Sequence, residues 1–272
     1  MTETEQAATD QLGRLQGVQE LRAAVLALLL PPGSQRAARA WQIECAEIAH
    51  AAQIREWVVQ LPGAARLPWF EMLVSRMGGQ PLAARQALLE STRRLMGARG
   101  IVRPIDRLHW LEMRQRLGEN TGADTHAAAT SDLSQLPPSD VAAIARYSAF
   151  LARLVPAEAA ALDDAAPTES GVAWYTSVMT PWQAHAAVPP CTPPDTDGLV
   201  HALQELQVLA WMQRPTLVRG WVTAATQQSR YGRLNDSAAD ALRLSCSLLD
   251  SPLPPELARH YGAAGGLLET AA

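Results

Sequence analysis

The residues predict an all-α fold: two helical bundles, or one large multi-helix domain, joined by a polar, Pro-containing linker. Two observations carry this. Hydrophobic residues make up 48% of the 272 positions, with only 2 Phe and 4 Tyr, so Ala and Leu supply most of the apolar surface. Both enter helices at little cost, and β-branched runs are scarce. Pro and Gly also fall between apolar stripes of helical period, as helix starts and stops do.

In chain order, residues 1–9 are expected to be a flexible N-terminus. Residues 10–30 place Leu15, Val18, Leu21, Val25 and Leu28 on one stripe, with Asp10 as N-cap. The run "LRAAVLALLL" (21–30) is too short to cross a bilayer and stops at Pro31, so it reads as a buried helix end. Its leader "MTETEQAATD" is acidic, where a secretory n-region is basic. Ser34 caps a single helix over 35–60, whose buried stripe is Trp41, Cys45, Ile48 and Ala52. Pro68 opens a short helix closed by Gly78 and Gly79, Pro81 opens one ending at Gly97, and Pro104 opens one stopping at Gly118. These form a bundle over 10–118.

The composition then shifts. Residues 119–137, small, polar and Pro-bearing, read as a linker. A second bundle over 138–261 follows. Its helices are "DVAAIARYSAFLARLV", a segment near 168–180, "LVHALQELQVLAWMQ", "PTLVRGWVTAATQQ", "DSAADALRLSCSLL" and a short "PELARHY". "AVPPCTPPDTDG" (187–198) is an extended break, and 262–272 a flexible tail.

Net charge is -4, and the 23 basic residues, all Arg, are spread along the chain. Nucleic-acid binding needs a concentrated basic stripe, and only Arg93, Arg94, Arg99, Arg103 and Arg107 gather, so such a partner is disfavoured. Cys45, Cys191 and Cys246 are far apart and odd in number, which fits a reducing cytoplasm rather than a disulfide framework, with Cys45 and Cys246 as small core residues.

No nucleophile elbow, HExxH, dinucleotide fingerprint or P-loop occurs, so no catalytic or cofactor-binding residue is assigned. The nearest approach to chemistry is acid-x-x-His spacing. "ECAEIAH" holds Glu47 and His50, and "DRLHWLE" holds Asp106 and His109. Two such pairs on facing helices are half of a helical-bundle metal site, which makes a metal-dependent enzyme the alternative reading. Against it, Glu47 and His50 fall away from the main stripe, and no other helix offers convincing carboxylates.

Tryptophan and arginine carry the favoured reading, because both are enriched at binding hot spots. In "WMQRPTLVRGW" (211–221), Arg214 and Arg219 lie between Trp211 and Trp221. The loop "GARGIVRPIDRLHW" (97–110) has a basic rim at Arg99 and Arg103. The expected partner is another protein, a second copy of this chain included, with no membrane insertion.

The stretch "LPWFEMLVSRMGGQPLAARQALLESTRRLMGARGIVRPIDRLHWLEMRQRL" (67–117) resembles the TerB-like helical region that follows the protease domain in some bacterial M48-type metallopeptidases. Ala98, Gly100 and Val102 follow that region's loop pattern. "ALQELQVLAWMQRPTLVRGWVTAA" and "ADALRLSCSLLDSPLPPELARHY" also resemble the tails of those proteins. The family's loop acid falls on Arg99 and its downstream Glu on Asp106, and a guanidinium cannot replace a carboxylate on a hard cation. The resemblance therefore implies a helical module without peptidase activity, an accessory to a membrane-associated protease or to a secretion or stress system.

Overall fold

The computed structural model describes residues 2–100, 102–118, 132–156, 166–183 and 187–269. Among them the chain is all-α, with thirteen helices and no strand. They are α1 (Glu3–Gly13), α2 (Val18–Leu28), α3 (Gln35–Glu44), α4 (Ala51–Gln60), α5 (Gly63–Gly78), α6 (Leu82–Arg99), α7 (Pro104–Leu117), α8 (Pro138–Leu151), α9 (Glu169–Met179), α10 (Thr196–Val208), α11 (Gln213–Gln228), α12 (Asp236–Leu248) and α13 (Pro255–Glu269). No described helix is long and apolar enough to cross a membrane.

The helices sort into two compact units. The first holds residues 1–102, 113–120 and 261–272; the second holds 103–112 and 121–260. The division falls within α7, upstream of the expected linker at 119–137, most of which lies outside the described residues.

In the first unit α2 is central. Leu21 and every residue from Ala23 to Leu28 are buried, and α4, α5 and α6 pack around it. In the second, α8 packs on α9 and α10, and α11 packs on α9 and α12. Trp221 of α11 is fully buried, stacks on Tyr147 of α8 at 5.4 Å, and donates its indole N–H to Ser148 Oγ at 3.0 Å.

Several boundaries differ from expectation. The N-terminus is helical from Glu3, because Thr2 and Glu5 form a reciprocal capping box, and α1 and α2 replace the single helix of 10–30. Pro68 lies inside α5, which starts at Gly63. Gly97 lies inside α6, which continues to Arg99 and closes on Gly100 at φ 80°, a left-handed conformation suited to glycine. α13 runs on to Glu269 rather than ending at Tyr261.

Five arginines hold the helix ends. A helix leaves its last four carbonyls without partners, and a guanidinium fork can satisfy more than one of them. Arg66 donates to Val58, Leu28 and Leu30; Arg76 to Gly13 and Leu15; Arg85 to Leu117 and Gly118; and Arg99 to Leu29. Arg214 donates to the carbonyls of Leu209 (2.9 Å), Leu249 (3.5 Å) and Gln207, joining the ends of α10 and α12.

Candidate functional site

The clearest surface feature comes from a break that the sequence does not announce. On one continuous helix, Ile54 and Val58 fall about 140° around the axis from Trp41 and Cys45, so one core cannot bury both pairs. The chain stops α3 at Glu44, turns through 45–50, and restarts as α4 with His50 in a left-handed conformation at φ 59°. That rotation buries all four residues. Ile48 is left half-buried and Ala52 exposed, although both were expected in the main stripe.

The break opens a groove of about 690 Å³ between α3 and α4. Trp41 and Cys45 form its buried floor. Trp41 is held by its indole N–H, which donates to the Ala23 carbonyl at 3.1 Å. The Arg55 guanidinium lies 5.9 Å from the Trp41 ring centroid. Ala52 and Val59 line the wall, and Val59 is 66% exposed. Burial raises the Cys45 thiol to about 12, so the floor is a neutral, apolar surface.

The acid–histidine residues lie elsewhere in role. Glu47 and His50 are exposed and sit in the turn, so the helical three-residue spacing does not apply to them. Asp106 and His109 are on α7, in the other unit. The Asp106 carboxylate is fully buried; it accepts from the Arg103 backbone N–H at 3.0 Å and from its guanidinium at 2.7 Å, capping α7. His109 Nδ1 lies 3.0 Å from the Ile105 carbonyl, the contact of a ring N–H donor. Glu112 accepts from Ser247 at 2.7 Å. Among the described residues, no three His, Cys, Asp or Glu side chains gather in a way that could hold a metal ion.

The expected interaction residues divide. Arg99 and Arg214 are buried and spent on main-chain carbonyls, and Trp221 is core, so these three do not form a surface. Arg99 is also the last residue of α6 rather than a loop residue. Arg103 is half-buried against Asp106. Trp211 (69% exposed) and Arg219 do face solvent, because α10 ends at Val208 and α11 starts at Gln213, leaving Trp211 in the turn between them. The groove itself was missed by reading 35–60 as one helix. The opposed placement of Ile54 and Val58 was the signal that could have found it.

No family model, no curated protein and no solved structure matches the chain.

Proposed function

We propose that this protein is a non-enzymatic helical interaction module that receives a helix of a partner protein in the groove between α3 and α4. The observation that carries the reading is the groove itself: an apolar floor at Trp41 and Cys45, walls of Ala52 and Val59, and a polar rim at His50, Arg55 and Glu56. An apolar trough rimmed by polar groups is how folded domains take the apolar face of an amphipathic helix. Trp41 lies buried beneath the groove, and its hydrogen bond to Ala23 fixes the ring as a rigid base before any partner arrives.

In the cell the module serves as an accessory to a membrane-associated protease or to a secretion or stress system, the role implied by the TerB-like resemblance. Three free cysteines, two of them buried, suit the reducing cytoplasm proposed for it.

Photo-cross-linking from within the groove tests the reading. A benzophenone amino acid replaces Ala52 or Val59 and, as a control, the exposed Gln86 of α6. Illumination of cells of the native source should yield one and the same adduct from positions 52 and 59 and none from 86. No adduct from either groove position overturns the proposal.

A further inference from the structure

We infer that the partner is acidic: the outward face of α3 is built for an amphipathic helix whose apolar stripe is flanked by carboxylates. This rests on the protein being an interaction module, and it concerns a second helix of the same partner, seated on the flank of α3 opposite the groove.

Arg36, Arg39, Ala40 and Ile43 recur at the i, i+3, i+4, i+7 spacing that places residues on one helical face. Ile43 is 76% exposed, the cost of leaving a large apolar side chain in water. Across from this stripe stand Arg94 and Ala98 of α6, and a cleft of about 320 Å³ lies between. Its lining carries three guanidinium groups and a single carboxylate, Glu44.

That carboxylate is already committed. Arg94 grips both its oxygens, at 2.7 and 2.9 Å, and Arg22 lies 3.6 Å away. Arg36 and Arg39 enter no ion pair among the described residues, and both are exposed. Arg36 lies close along the end of α6, where the absent side chain of Gly100 leaves room: a Cβ there would stand 3.1 Å from its Nη1. The cleft therefore offers an apolar strip of Ala40, Ile43 and Ala98 between two uncommitted guanidinium forks. Such a pattern complements leucines flanked by glutamates and repels a basic helix. A nucleic-acid strand would meet only two free cations and would leave Ile43 against phosphate.

The test is fluorescence anisotropy on the full chain with a labelled peptide of about 18 residues, Leu at helical spacing and Glu in the flanking positions. A twin carries Lys in place of Glu. The Glu peptide should bind, more weakly as salt rises from about 50 to 500 mM, and the twin should not. The double variant R36E/R39E should weaken the Glu peptide about ten-fold while its helical circular dichroism stays that of the wild type. R36Q/R39Q should fall between. No binding of the Glu peptide, or the same affinity in R36E/R39E, overturns the inference. Equal binding of both peptides, lost in Ala52→Trp, overturns the acidic partner and leaves the groove standing; cross-linking failure at 52 and 59 removes the groove itself. A single-stranded DNA of similar length that binds more tightly than the Glu peptide also overturns it.

Discussion

Arg94 and Glu44 form a two-pronged pair, Nε to Oε1 at 2.7 Å and Nη2 to Oε2 at 2.9 Å, that ties α6 to the last residue of α3. The pair stands where α3 must stop for the groove to exist. The Arg94 hydrogen bond is the main reason that the Glu44 carboxyl titrates below its ordinary range. A carboxyl whose folded value is depressed contributes stability above its unfolded value and loses it as pH falls through the folded one. Glu44→Gln should therefore cost about 0.5–1 kcal/mol at neutral pH, the range for a pair screened by water on one side, here at the half-exposed Arg94. In urea titrations the gap from wild type should narrow as the pH drops below the usual carboxylate range. A gap that stays constant into acid would show that the charge on Glu44 contributes nothing.

Arg214 is the most committed cation of the second unit. Its guanidinium is buried, which lowers its pKa, and it serves three carbonyls at the ends of α10 and α12. Arg214→Ala leaves those acceptors without partners and should cost roughly 2–4 kcal/mol. Arg214→Lys should recover little, because one ammonium cannot span the positions of a planar fork. Thermal melts of the three proteins check both statements, and a lysine variant as stable as wild type would refute the capping role.

Two glycines make opposite predictions. A Cβ at Gly171 would stand 2.0 Å from the Ala152 carbonyl oxygen, so α9 can approach the end of α8 only without a side chain there. Gly171→Ala should destabilise by roughly 2–4 kcal/mol, since backbone has to move. Gly220, within α11 and exposed, meets nothing within 4 Å. Gly220→Ala should stabilise by about 0.5–1 kcal/mol through helix propensity alone. Chemical denaturation that gave both variants the same sign would contradict these placements.

Local periodicity and helix punctuation made most of the fold legible. The span of α7, Pro104 to Leu117, and the start of α12 at Asp236 follow directly from Pro, Gly and cap residues. What failed needed tertiary information. No Gly or Pro marks the turn at 45–50; it exists because Trp41 and Ile54 have to enter the same core from opposite sides of a would-be helix. Arg99 and Arg214 looked like surface cations because a sequence does not show which carbonyls will be left open beside them. Trp211 and Trp221 looked equivalent, yet a helix start at Gln213 sends one to solvent and the other to the core.

Thiol labelling reads the floor of the groove directly. Burial raises Cys45 to about 12 and Cys191 to about 11, so near pH 8 almost none of either is thiolate, the reactive form. Access separates them: Cys45 and Cys246 are buried, whereas Cys191 is half-exposed in the Pro-rich segment between α9 and α10. An alkylating reagent should therefore modify Cys191 first, at a rate that rises about ten-fold per pH unit until the thiol is ionised. Cys45 should stay unmodified in the folded protein and react only when urea unfolds the first unit. Peptide mapping of the labelled sites distinguishes the three thiols. Modification of Cys45 as fast as Cys191 without denaturant would mean that Trp41 and its neighbours do not close the floor, and the groove would lose the rigid base on which its docking role depends.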